Sequence, residues 1–175
     1  MFGESGGMPE PQGAPAGERR ELGSMTTSTG TEEYAGDLSP RAAWGVLVGD
    51  PQAALVDCRS AAEWSFVGLP DLGTLGRRPA RVAWQRWGET PAGPKMAANP
   101  AFLDELAAAG ISRSAPVVFL CRSGARSRSA AIAATASGWT RAYNLAGGFE
   151  GGHDADRHRG RTDGWKAAGL PWTQE

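Results

Sequence analysis

Cysteine is scarce in this sequence: Cys58 and Cys121 are the two, and neither belongs to a Cys-x-x-Cys pair. Two are too few for a disulfide-stapled scaffold, so a reducing compartment is the simpler assumption. Long apolar runs are missing as well. No stretch of about 18 apolar residues occurs, so no transmembrane helix is expected. The opening residues MFGESGGMPEPQGAPAGERRELG show no apolar segment after a basic start and do not read as a signal peptide. Together these absences make the cytoplasm the default location. Excess charge is also lacking. A net charge of −1 argues against bulk binding to nucleic acid or to a membrane.

The charge that is present is unevenly spread. Residues 1–32 hold Glu4, Glu10, Glu18, Glu21 and Glu32 against Arg19 and Arg20, a net −3, so the remainder carries +2 of the total −1. The arginines of that remainder cluster, which suits a small anionic substrate better than a polymer. The same first 32 residues are rich in Gly, Pro, Ser, Thr and Glu and cannot bury enough apolar surface to offset chain entropy. Residues 1–35 are therefore expected to be a disordered tail, and residues 36–173 a single domain. At 175 residues and 41% hydrophobic content, the chain can build one real core.

Helix and strand signals alternate along that domain. Ser39-Pro40 reads as an N-cap with proline at the first helical position, and RAAWGVLV follows until Gly49-Asp50-Pro51 stops it. Ala53 to Cys58 is a short apolar run of the kind a buried parallel strand shows. Ser60 and Glu63 form a capping box opening a short helix. Residues 68–80, rich in Gly and Pro, read as a loop, and Val82-Ala83-Trp84 as a further strand. Asn99-Pro100 opens a helix with Phe102, Leu103, Leu106 and Ala107 on one face, closed by Gly110. Pro116 to Leu120 is the strongest strand. An alanine-rich helix over Ser127 to Ser137, a strand over Ala142 to Leu145 and a turn at Gly147-Gly148 complete the pattern. Alternation of this kind implies a parallel sheet covered on both faces.

The segment between that strongest strand and the alanine-rich helix carries the chemistry. Helix N-termini offer unpaired N–H groups and a positive dipole end, and the carboxyl edge of a parallel sheet is where ligands sit. Here the loop begins with a cysteine: Cys121-Arg122-Ser123-Gly124-Ala125-Arg126-Ser127. A thiol of free pKa about 8.5 falls to roughly 3.5–7.5 beside a helix N-terminus and cationic groups. Ser123, Gly124 and Ala125 are small enough for the backbone to curl with its N–H groups inward. Each feature favours a thiolate at Cys121, poised to attack a substrate or to hold an anionic persulfide.

CRSGARS, preceded by PVVFL, resembles the active-site loop of the rhodanese-like sulfurtransferases. Leu55 to Trp64, with Asp57, Arg59 and Glu63, is similar to the family's first strand and helix. Asn144 to Phe149 is similar to its strand and turn after the active-site helix, and Gly164 to Pro171 to its usual ending. The resemblance implies an α/β rhodanese-like fold, with a five-stranded parallel sheet flanked by helices on both faces. It implies that Cys121 is the nucleophile, and that Arg122, Ser123, Gly124, Ala125, Arg126 and Ser127 bind substrate. It implies a small anionic sulfur donor such as thiosulfate, attacked by the Cys121 thiolate with loss of sulfite. The sulfur then passes to cyanide, a thiol or a protein cysteine. No organic cofactor and no metal are implied, and neither nucleic acid nor membrane is an expected partner. Monomer is the default state. The sequence departs from the family's Gly-His-Ile-Pro-Gly-type turn, having Val67-Gly-Leu-Pro-Asp71 instead, and residues 71–98 make a longer connection than the minimal domain needs.

Two other readings use the same loop. A cysteine phosphatase or arsenate reductase also holds a thiolate in an anion loop, but a cysteine phosphatase places one more residue between cysteine and arginine than the four found here. Leu120, not histidine, precedes the cysteine. A persulfide-carrying or partner-binding module without its own turnover is the second alternative. Asp57 and Arg59 are read as supports of the loop, Cys58 as a packing residue rather than a resolving thiol. His153, Asp154, Asp156 and His158 are read as a solvated loop rather than a metal site, and Arg157, Arg159 and Arg161 as surface charges. Trp84 and Trp165 are expected beside the pocket.

Overall fold

Every residue of Val117–Leu120 is buried, and the side chains alternate between two separate apolar clusters. That strand is therefore the middle of a two-sided core. A computed structural model describes residues 33–88 and 91–174, so most of the span expected to be a disordered tail lies outside the described residues. In chain order the elements are β1 (Gly36–Leu38), α1 (Pro40–Gly49), β2 (Ala54–Asp57), α2 (Ala61–Val67), β3 (Leu69–Pro70), a 3-10 turn (Gly73–Leu75), β4 (Ala80–Arg81), β5 (Gln85–Gly88), β6 (Lys95–Ala98), α3 (Phe102–Ala108), β7 (Val117–Leu120), α4 (Ala125–Ala136), β8 (Ala142–Leu145), α5 (Gly164–Ala167) and β9 (Trp172–Thr173).

Five strands form one sheet in the order β1-β8-β7-β2-β4, with every pair parallel. On one face Val56, Val117 and Phe119 meet Phe102 and Leu106 of α3 and Ala130, Ala131 and Ala134 of α4. On the other, Leu55, Val118 and Leu120 meet Ala43 and Leu47 of α1 and Trp165 of α5. The expected five-stranded parallel sheet with helices on both faces is what the chain builds. The small side chains of α4 let it lie close to β7 and β8, which brings its N-terminus to the carboxyl edge of the sheet.

Local signals act as the sequence predicts at several points. The Ser39 hydroxyl accepts the Ala42 amide at 3.3 Å with Pro40 at the first helical position. The Ser60–Glu63 capping box is complete in both directions.

Other segments differ. The strand expected over Val82 to Trp84 ends instead at Arg81. Val82 and Trp84 still donate to the Asp57 and Cys58 carbonyls, at 3.1 and 3.0 Å. The chain then leaves the sheet as an antiparallel hairpin of β5 and β6, closed at its base by the Asn99 amide on the Trp84 carbonyl at 2.9 Å. Residues 68–80 are not wholly loop either, because β3 pairs antiparallel with β9. Among the described residues no helix is long and apolar enough to cross a membrane.

Candidate active site

Cys121 stands where β7 ends and the chain turns into α4. Gly124, in a left-handed conformation at φ 105°, caps that helix, a conformation glycine adopts at little cost. The turn brings the Gly124 amide to 3.1 Å from the Cys121 sulfur. Ser127, one turn into α4, places its hydroxyl 3.2 Å from the same sulfur. Amides of the first helical turn have no intrahelical acceptor and face the same corner. The thiol is thus at a helix N-terminus beside polar donors; only 1% of the residue is exposed, and it also borders the apolar cluster of Val56 and Phe119. Arg122, Ser123 and Ala125 are exposed, whereas Gly124 and Ser127 are buried.

Ser127 links the sulfur to a chain of polar groups that sequence reasoning missed. Its hydroxyl lies 2.6 Å from Asn144 Oδ1 on β8, and 3.1 Å from the Gly124 carbonyl. Asn144 Nδ2 donates to Asp37 Oδ1 at 2.9 Å, which turns the amide oxygen toward Ser127. Tyr34 donates to the same Asp37 oxygen at 2.7 Å. A serine hydroxyl holds one proton. It can give that proton to Asn144 while accepting from a neutral thiol, or give it to the sulfur once the thiol ionises. The available signal was a polar residue within the otherwise apolar Ala142–Leu145 strand, where Asn144 is buried.

The back of the loop is clamped by the segment after β8. Phe149 N donates to the Cys121 carbonyl at 2.7 Å, and Glu150 N to the Arg122 carbonyl at 2.9 Å. This close approach depends on Gly148, at φ 59°, where a Cβ would stand 2.4 Å from the Cys121 carbonyl oxygen. Beneath Phe149 lies the Asp57–Arg59 pair. Both side chains are fully buried; Arg59 reaches Asp57 Oδ2 at 2.6 Å and the Gly68 carbonyl at 2.7 Å, and its guanidinium sits 4.1 Å from the Phe149 ring centroid. The pair is linked to the loop through Phe149.

Arg126 turns to Glu63. Its two terminal nitrogens meet the two carboxylate oxygens at 2.8 and 2.6 Å, which ties α4 to the capping box of α2. Burial pushes the Glu63 carboxyl up, but the Arg126 hydrogen bond, the Ser60 amide and the Arg126 charge outweigh it and hold it at about 2. The Glu63 hydrogen bond raises Arg126 above its ordinary value against burial, and the charges of Cys121 and Cys58 add in the same direction. Arg126 therefore stays cationic within the field of both thiols. Burial pushes the Cys58 thiol well up.

Trp84 packs edge-on to Phe102, and the fully buried Trp165 packs edge-on to Trp44. Both serve the core clusters. Asp154, Asp156 and His158 come together, with Asp154 Oδ1 accepting the Asp156 and His158 amides at 3.0 and 2.7 Å and Arg161 3.3 Å from Oδ2. Those contacts organise the loop itself. Arg159 donates to the Gly151 carbonyl.

A family profile described as the rhodanese-like domain matches residues 44–155. The crystal structure of Rv0390 from M. tuberculosis is similar over 82% of this chain and 100% of its own, with 51% identity and a TM-score of 0.70. An uncharacterized protein of Rickettsia conorii, RC0915, is 34% identical over 131 residues, which is 74% of this chain and 90% of that protein. The solution structure of a polysulfide-sulfur transferase homodimer from Wolinella succinogenes covers 79% of this chain and 78% of its own at 24% identity, with a TM-score of 0.54, a likeness of fold. With the profile spanning four of the five sheet strands, the cysteine loop and its glycine clamp, this chain belongs to the rhodanese-like domain family.

Proposed function

We propose that this chain is a sulfurtransferase that moves a sulfane sulfur from thiosulfate to a thiophilic acceptor through a persulfide on Cys121. The observation that carries the reading is the Cys121 sulfur at a helix N-terminus, within 3.1 Å of the Gly124 amide and 3.2 Å of the Ser127 hydroxyl. An amide, a hydroxyl and the positive end of the helix dipole stand where negative charge on that sulfur would be held. The thiolate attacks the outer sulfur of thiosulfate. The sulfur–sulfur bond of the donor breaks, its electron pair leaves on sulfite, and the new bond makes Cys121 a persulfide. The added sulfur lies about 2.05 Å beyond Sγ, where the same amides hold its charge. The acceptor, cyanide in an assay or a thiol or protein cysteine in a cell, attacks that outer sulfur and restores the thiolate. Atoms and electrons balance with no redox cofactor.

Thiosulfate fits a corner lined by amides and flanked by the exposed Arg122, because its leaving group is a divalent oxyanion. The name of the Wolinella neighbour attaches sulfur transfer to this fold and supports the same chemistry. Steady-state formation of thiocyanate from cyanide, with thiosulfate against mercaptopyruvate as donor, tests the reading. The expected result is turnover that favours thiosulfate and vanishes in Cys121→Ser. Equal turnover by that variant would overturn it.

A further inference from the structure

Cys58 has no part in the cycle above, yet it stands beside the reactive cysteine on the neighbouring strand. β2 and β7 are adjacent and parallel, with Asp57 opposite Leu120. The Cys58 amide extends the ladder by donating to the Leu120 carbonyl at 2.7 Å. One step on along both strands stand Cys58 and Cys121. Their side chains enter the same cluster as Val56 and Phe119, each two residues earlier on its strand, so both thiols face one side of the sheet. Neighbouring strands run about 4.8 Å apart, within the Cα separation of about 4.4–6.8 Å that a disulfide spans. Both thiols are free, and both are buried.

We propose that Cys58 is a resolving thiol for the Cys121 persulfide. Cys58 attacks Sγ of Cys121, the outer sulfur leaves with the bonding pair as hydrogen sulfide, and a Cys58–Cys121 disulfide remains. The step rests on the reading of Cys121 as a sulfur carrier. The bond between Cys121 Sγ and the outer sulfur breaks, and a bond between the two Sγ atoms forms. The Cys58 proton and the persulfide proton both depart on sulfide. Cys58 is oxidised, the outer sulfur is reduced, and no external oxidant enters. A dithiol reductant then returns both cysteines to thiols, so the chain would also reduce sulfane sulfur to sulfide.

The fold sets when this route runs. The attacking species is the thiolate. Burial, with the charges of Cys121 and Asp57 alongside it and Arg126 opposed, keeps Cys58 largely protonated at neutral pH. Internal attack is therefore slow beside transfer to a small external thiol. It takes over when no acceptor is present, and it quickens as pH rises.

The test uses the full chain without oxygen. Cys121 is loaded with inorganic polysulfide and the protein is desalted. Intact mass, sulfide release and a non-reducing peptide map are then followed with time. The expected course is a chain one sulfur heavier that becomes two hydrogens lighter than the reduced protein, with one sulfide released and the Cys58 and Cys121 peptides joined. Cys58→Ala and Cys58→Val should take up the sulfur and keep it. A wild-type persulfide that persists unchanged, or Cys58 variants that release sulfide as fast as wild type, would overturn the resolving role while leaving the carrier role intact. Failure of wild type to take up sulfur, or equal uptake by Cys121→Ser, would overturn the carrier reading and this step with it.

Discussion

Ser127 has one proton and acceptors on three sides: the Cys121 sulfur, the Gly124 carbonyl and Asn144 Oδ1. That arrangement makes it a positioning residue that can follow the charge on sulfur. A hydrogen bond to a charged group contributes about 1.5–3 kcal/mol, and about 1.4 kcal/mol is tenfold in a rate. Replacing Ser127 with Ala should therefore slow sulfur uptake by Cys121 from thiosulfate about tenfold or more, followed by intact mass with time, and an unchanged rate would remove Ser127 from the account. Glu63 gives a second prediction at this scale. Its folded carboxyl is lowered to about 2 from 4.5, so its stabilisation is fully present above pH 4.5 and is lost as pH falls toward 2. Glu63→Gln should lower stability at neutral pH by about 2 kcal/mol and flatten the acid limb of the denaturation profile below pH 4.5. An acid limb as steep as that of wild type would show that the Arg126 pair does not carry it.

At the scale of elements, the loop is held from two directions: from the front by α2 through Glu63 and Arg126, and from behind by the turn after β8. The rear clamp makes a prediction by contrast. Gly148 and Gly110 both have positive φ, but a Cβ at Gly148 would strike the Cys121 and Arg122 backbone, whereas a Cβ at Gly110 meets nothing within 4 Å. Gly110→Ala should cost about 1 kcal/mol from backbone conformation alone. Gly148→Ala should cost at least about 2 kcal/mol more and should abolish sulfur uptake, read by thermal unfolding and by mass. Equal costs would place the clamp elsewhere. Elements whose cause is local were legible in the sequence. The capping box, the proline-led start of α1 and the apolar β7 each announce themselves within a few residues. β1 was not legible, because three residues beginning with glycine carry no periodicity and are ordered by pairing with β8. The β5–β6 hairpin was hidden for a related reason. Gln85-Arg86-Trp87-Gly88 has no buried face, and Trp87 is exposed. The β3–β9 pair joins residues about a hundred positions apart, a relation no short window contains.

At the scale of the whole molecule, one sheet serves two cores, and the site sits where both end. β7 contributes Phe119 to one cluster and Leu120 to the other, so neither core should unfold alone. Phe119→Ala should cost about 3–5 kcal/mol while fluorescence and far-UV dichroism still report one coincident urea transition. Two separated transitions would contradict a shared core. The site was legible in part at this scale. The strand-loop-helix order located Cys121 and the buried Gly124 and Ser127, because anion loops depend on chain order. The Arg126–Glu63 pair and the Ser127–Asn144–Asp37 chain depend on which strands become neighbours, and that follows only from the packed sheet.

The most direct test of the central claim is the location of sulfur on the chain itself. After brief incubation with thiosulfate and an acid quench, intact mass and peptide mapping should find one added sulfur on the peptide carrying Cys121 and none on Cys121→Ser. A wild-type chain of unchanged mass, or an equal gain in the serine variant, would contradict the claim that this thiol carries the sulfur.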